Sequence, residues 1–259
     1  QTPLLAAIAR GDAAGVAALL QAGADRARPD AQGRSPFTRV LGSGQVALVR
    51  AFLDAGADVN ARLEDGTPPL LVAARAPNGT PTVELLLQRG AQVSARDLSG
   101  ATALHQLTRD GAESAGVLLA HQADVTLRDA SGNTPLHAAV IQGAAAVVTR
   151  LLAAGADREA RNGAGQTPLH QAVAGRQRAI VELLLQRGAA LDVRNSAGDT
   201  PLHTAAGLPT FNVSGPGVSV ERPRALVELL LHAGASLTAR NSRGETPQQV
   251  ATARKNTEV

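Results

Sequence analysis

The chain contains no cysteine, methionine, tryptophan or tyrosine, and only 3 phenylalanines among 259 residues. Without cysteine there is no disulfide, thiol nucleophile or thiolate metal ligand, and the redox compartment stays open. Without aromatics, one large core lacks the bulky side chains that fill irregular space. Leu, Ala and Val must fill shallow, regular layers instead, and stacked repeats supply such layers. A nucleic-acid surface wants a basic stripe interleaved with stacking aromatics. Here arginine is interspersed with Asp and Glu throughout, so no nucleic-acid partner is expected. No run reaches the ~18 apolar residues of a membrane span. Lysine is nearly missing too, since Lys255 is the only one. The 25 basic residues exceed the 22 acidic ones by three. The sequence pI of 10.7 reflects arginine, which hardly deprotonates, rather than a strongly basic chain.

Translation starts at methionine and none is present, nor is an export signal visible. A cleaved signal and a missing upstream region explain this equally well. The arginine bias adds the expectation of a bacterial protein in the periplasm or secreted, with the cytoplasm as the alternative.

What the sequence does have is a period. The second residue of each Thr-Pro-like pair falls at Pro3, Pro36, Pro69, Ala103, Pro135, Pro168, Pro201 and Pro247, with spacings of 33, 33, 34, 32, 33, 33 and 46. Each pair is followed by an aliphatic run closed by Gly-Ala, as at Gly23-Ala24, Gly56-Ala57, Gly90-Ala91, Gly155-Ala156, Gly188-Ala189 and Gly234-Ala235. One unit shows the physics. The Thr134 hydroxyl can cap a helix N-terminus, and Pro135 suits its first turn. Small residues such as Ala138 and Ala139 follow. A break near Gly143 leads to a second helix with Val147, Val148, Leu151 and Leu152 at helical spacing. Gly155 ends it in the left-handed region. The chain then runs out to a turn placed at Asn162-Gly163, a dipeptide that signals a hairpin. No such unit buries its apolar face alone, so each must stack on its neighbours.

The quartets Thr134-Pro135-Leu136-His137, Thr167-Pro168-Leu169-His170 and Thr200-Pro201-Leu202-His203 match the ankyrin signature Thr-Pro-Leu-His-x-Ala, with Ala139, Ala172 and Ala205 in its last place. With the period and the Gly-Ala closures, the chain resembles an ankyrin-repeat protein over essentially its whole length. The expected fold is all-α with short β-hairpin fingers, a solenoid of seven repeats plus a partial C-terminal cap. The expected boundaries are 1–29, 30–62, 63–96, 97–128, 129–161, 162–194, 195–240 and 241–259, in one domain.

Departures from the signature mark weak or special layers. Ser35-Pro36-Phe37-Thr38 and Pro68-Pro69-Leu70-Leu71 lack the histidine. In the fourth repeat Gln122 takes the place of the closing glycine, costing about 1 kcal/mol if φ is positive. Thr246-Pro247-Gln248-Gln249 is polar where Leu and His normally pack, which suits a cap with one face in water. The 46-residue spacing carries an insertion near 207–223, with Pro209, Gly215, Pro216 and Gly217 excluding a continued helix. Phe211, Val213, Val218 and Val220 are unusual for a linker. Partner contact, a loop packed on its own repeat and plain disorder all remain open for it.

Catalytic and metal chemistry fail on placement. His105, His137, His170 and His203 recur one per layer, about 10 Å apart, too far to share a zinc ion. A hydrogen bond joining the turns of adjacent repeats is their expected role. His121 and His232 end second helices, where a cation is favourable and solvent is near. No Walker-type loop or catalytic triad stands outside the repeat frame, so no catalytic residue, cofactor or metal is expected.

The resemblance implies a non-catalytic scaffold that holds a partner protein through hairpin tips and the concave face of the first helices. An enzyme it assists or a toxin it neutralises fits that role, and a monomeric array is expected. The alternative is a segment of a larger effector or enzyme whose catalytic part lies elsewhere. By position, the turn group is Arg34, Glu64, Asp65, Leu98, Asn133, Gln166 and Asp199. The first-helix group is Ser43, Arg75, Arg109, Ile141 and Gln142. The insertion adds Phe211 and Val213.

Overall fold

The structure, a computed structural model, describes residues 2–209 and 223–254. Most of the insertion, including Phe211, Val213, Val218 and Val220, lies outside the described residues. Among these residues every regular element is helical and none is a strand. The chain forms two compact units, residues 1–130 and 131–259.

In the first unit, α1 (Pro3–Ala9) pairs with α2 (Ala13–Gln21), α3 (Pro36–Leu41) with α4 (Val46–Asp54), and α5 (Pro69–Arg75) with α6 (Thr80–Gln88). The fourth pair joins a 3-10 turn, η1 (Ala103–Gln106), to α7 (Ala112–Ala120). In the second unit, α8 (Pro135–Ile141) pairs with α9 (Ala145–Ala153), α10 (Pro168–Ala174) with α11 (Arg178–Gln186), and α12 (Pro201–Ala206) with α13 (Pro223–His232). The single helix α14 (Pro247–Ala253) follows. We number these layers 1 to 8. Within each unit the first helices stack on first helices, as α1 on α3 and α8 on α10. Second helices stack likewise, as α2 on α4 and α9 on α11.

The stacking is aliphatic. Leu48, Val49, Val83, Leu86 and Leu118 in the first unit are fully buried. So are Leu136, Val147, Val148, Leu151, Val181 and Leu184 in the second. Burying each such side chain contributes about 1.5–3 kcal/mol, and a layer offers it only when its neighbour is present. The exception is layer 2, where Phe37 and Phe52 stack with ring centroids 5.7 Å apart.

Helix ends follow the expected chemistry. Proline stands at the first turn of α1, α3, α8, α10, α12 and α14. At the end of α9, Gly155 takes φ +85°. Its N–H bonds Leu152 O, and Ala156 N–H reaches Leu151 O at 2.9 Å, the pattern that closes a helix on a left-handed residue. Layer 4 makes the same closure without glycine. Gln122 sits at φ +61°, its N–H bonding Leu119 O, while Ala123 N–H bonds Leu118 O. The condition for strain at Gln122 is therefore met.

The fingers differ from the expected hairpin. Asn162-Gly163 is not the left-handed pair of a two-residue turn, because the positive φ belongs to Gly165, at +69°. The Asn162 side chain sets the turn instead. Its Oδ1 accepts the N–H groups of Ala164 and Gln166, both at 3.0 Å. In the second unit neighbouring fingers join by a single backbone bond, as Gly163 N–H to Ser131 O and Ser196 N–H to Ala164 O. One bond per step is too few to make a ladder, and so no strand forms.

Candidate functional site

The repeated histidines are structural ties. In layers 5, 6 and 7 the N-cap threonine N–H donates to histidine Nδ1 at 3.2–3.3 Å, and Nδ1 also lies 2.9 Å from the threonine hydroxyl. The far nitrogen of each ring faces the next finger. His137 Nε2 lies 3.0 Å from Gln166 O, His170 Nε2 from Asp199 O, and His203 Nε2 from Glu245 O. A backbone N–H can only donate and a carbonyl can only accept. Each ring is therefore neutral, with its proton on Nε2. Burial pushes the His170 pKa down. In layer 4, His105 makes the same box with Thr102. Among the described residues no cluster of ligating side chains fits a metal ion. His121 and His232 are exposed and turn Nδ1 to carbonyls of their own helices, Val117 O and Glu228 O.

Layer 2 solves the missing histidine differently. The Thr38 hydroxyl lies 3.1 Å from that of the N-cap Ser35 but does not take up its backbone N–H, and the next finger supplies that acceptor. Glu64 Oε1 accepts the Ser35 N–H at 3.1 Å and Oε2 accepts the Thr38 hydroxyl at 2.6 Å. Partial burial raises the Glu64 carboxyl, but these bonds outweigh it and hold the pKa below the ordinary range.

Arginine does similar work. Arg96 bonds Arg128 O at 2.8 Å, Arg158 bonds Gly188 O at 3.1 Å, and Arg161 bonds Arg194 O at 2.6 Å. Arg62 reaches Arg96 O in the same way. This role was missed in the sequence reading. Its signal is present, since an arginine precedes the finger turn in layers 3 to 8, at Arg62, Arg96, Arg128, Arg161, Arg194 and Arg240, with Pro29 in that place in layer 2.

The positions named for partner contact separate into three kinds. Some are held by the fold. Asp65 Oδ1 accepts the Thr67 N–H, which lowers its pKa, and the Asp199 carboxylate accepts from Asn241 at 2.9 Å. Asn133 Oδ1 accepts from Asn162 and Gln171, and the carbonyl of Gln166 receives His137. Glu64 belongs here too. A second kind is apolar and open to water. Ile141 is 55% exposed and Leu98 85% exposed, and with Leu237 they are the large hydrophobics left outside among the described residues. Leu237 was not foreseen. The third kind converges. Arg34, Ser43 and Arg75 line one depression of about 490 Å³, with Thr38, Arg39 and Val72. Arg109 and Gln142 are exposed but line no part of it.

Comparison with known proteins agrees with this geometry. A model described as "Ankyrin repeats (3 copies)" matches residues 70–162 and 146–211, together 142 of the 259 residues. A model described as "Ankyrin repeat" matches residues 197–242. Among curated proteins, the chain is 42% identical over 89 residues to the E3 ubiquitin-protein ligase KEG of Arabidopsis thaliana. It is 38% identical over 104 residues to neurogenic locus notch homolog protein 1 of Xenopus tropicalis. These matches cover 34% and 39% of the chain but only 5% and 4% of those much longer proteins.

Proposed function

Because the chain belongs to the ankyrin-repeat family, we propose that it is a non-catalytic scaffold binding a partner protein through its finger tips and first-helix face. The proposed array runs through residues 1–259 as one monomeric domain. The observation that carries the reading is Ile141. It ends a helix whose Leu136, Ala139 and Val140 are buried, yet it stands 55% exposed. An aliphatic side chain held out on a rigid helix costs little entropy to dock and makes a good anchor. Leu98 offers a second one on a finger tip. The Phe211 and Val213 part of the proposal concerns residues outside those described.

Affinity capture from host extract with the immobilised chain tests the reading. Ile141→Arg should cut retention of the captured protein while leaving the melting temperature unchanged. Equal capture by both proteins would remove Ile141 from the interface, and capture of nothing by either would sink the scaffold reading. A second reading is favoured by the small share of its relatives that the chain matches. In it, the array is the docking part of a longer protein with catalysis elsewhere. Immunoblotting the native product for its full size separates the two.

A further inference from the structure

We propose that the first-helix face of the first unit takes an acidic segment of the partner, whose carboxylates pair with Arg39 and Arg75. This rests on the protein-binding reading above and adds the partner's chemistry to it.

The charge on this face is segregated. Helices α1, α3, α5 and the turn η1 carry Arg39 and Arg75 and no Asp or Glu. The second helices behind them carry Asp54, Glu84 and Glu113 beside a single Arg50. Residues 1–130 hold 12 Arg and no Lys against 13 Asp and Glu, so a basic face here is not a by-product of composition. The depression of about 490 Å³ between layers 2 and 3 has three guanidinium groups on its walls, Arg34, Arg39 and Arg75, and no carboxylate.

The nearby acids are already engaged. The Asp30 side chain is 5% exposed, and its Oδ1 accepts the N–H groups of Gln32 and Arg34. Its Oδ2 serves Arg34 at 3.2 Å and Arg39 at 3.6 Å. One buried carboxylate thus underlies two guanidinium groups. Arg75 is exposed and makes no hydrogen bond or ion pair among the described residues. Its charge acts on Asp65, whose carboxylate holds the Thr67 N–H.

A guanidinium presents a planar fork that matches a carboxylate, so the fitting ligand is Asp or Glu. Val72 and Pro77 give the depression an apolar wall for the aliphatic stems of such residues. No aromatic lines it, which leaves nothing for a nucleic-acid base to stack on. Arg39 and Arg75 sit in adjacent layers, about 10 Å apart. A segment in the polyproline II conformation has three residues per turn and rises about 3.1 Å per residue, so acids three positions apart lie on one side and fit that spacing.

The test is fluorescence anisotropy of the full chain with a labelled (Glu-Ala-Ala)4 peptide, beside its (Gln-Ala-Ala)4 counterpart and a labelled oligothymidine. The acidic peptide alone should bind, less tightly as salt rises. Arg39→Gln and Arg75→Gln should each weaken it about tenfold, and Arg187→Gln, on the second-helix side of the other unit, should not. Arg75 has no bonded partner to lose among the described residues, so its variant decides the matter if Arg39→Gln lowers the melting temperature. The proposal is overturned by no binding, by binding of the glutamine peptide, by equal loss in Arg187→Gln, or by oligothymidine binding at least as tightly. If the two variants still capture the partner that the wild type captures, this proposal falls and the scaffold reading stands.

Discussion

The Glu64 carboxylate in the finger of layer 3 accepts a 2.6 Å hydrogen bond from the Thr38 hydroxyl in layer 2. With the Ser35 N–H on its other oxygen, it caps a helix from outside that helix. Glu64→Ala leaves the Ser35 N–H short of its acceptor, with the Thr38 hydroxyl left to the Ser35 hydroxyl, and should cost about 1–2 kcal/mol, measured by urea denaturation. Because the Glu64 pKa is lowered in the fold, its contribution is complete above about pH 4.5 and lost as pH falls through the folded value. A variant as stable as the wild type at pH 7 would show the bonds to be incidental.

The His170 tie predicts a second acid limb at higher pH. Burial lowers the His170 pKa, so the unfolded chain binds a proton below about pH 6.5 that the folded protein resists. Stability should be level above that pH and decline as pH falls toward the folded value. Gln249 already holds the histidine's place in layer 8, its Oε1 accepting the Thr246 N–H at 2.9 Å. His170→Gln should therefore keep the cap and flatten this part of the curve. Identical slopes of melting temperature between pH 7.5 and 5.5 in both proteins would exclude His170 as a source.

Gln122 at φ +61° predicts a gain from glycine. Gln122→Gly should stabilise by a few tenths to about 1 kcal/mol, since the left-handed conformation costs glycine nothing sterically. Chemical denaturation decides this, and a loss of stability would reveal a favourable contact of the Gln122 side chain.

Leu151 is fully buried between layers. Leu151→Ala should cost about 2–5 kcal/mol. Because layers contact only their neighbours, hydrogen exchange should quicken most in layers 5 and 6 of the second unit. Uniform loss of protection throughout the chain would contradict that local picture.

The fold was legible because its signals are local and repeated. Thr134-Pro135, Gly143 and Gly155 each announce a helix end through their own backbone preferences. The second helices show their apolar stripe directly in Val147, Val148 and Leu151. The finger turn was misplaced by two residues because Asn162-Gly163 reads as a tight turn, whereas the side-chain amide of Asn162 fixes a longer one. The Glu64 cap was not legible at all, since it joins residues 29 apart that fit no motif. Of the surface, Ile141 and Leu98 were readable as apolar residues at positions the repeat leaves in water. Arg39 was not, because its place beside Arg75 depends on how layers 2 and 3 stack.

The direction of the ties between layers bears on how such a chain can change over evolutionary time. The side chains of Arg96, His137, Arg158, Arg161, His170 and His203 all reach forward to a backbone carbonyl of the next layer. A carbonyl is there whatever residue bears it, so these layers can be duplicated, deleted or exchanged without losing the join. Glu64 reaches backward, and one of its two bonds needs a hydroxyl at position 38. Layers 2 and 3 are thus a matched pair that recombination must carry together, while the histidine-tied layers are interchangeable parts.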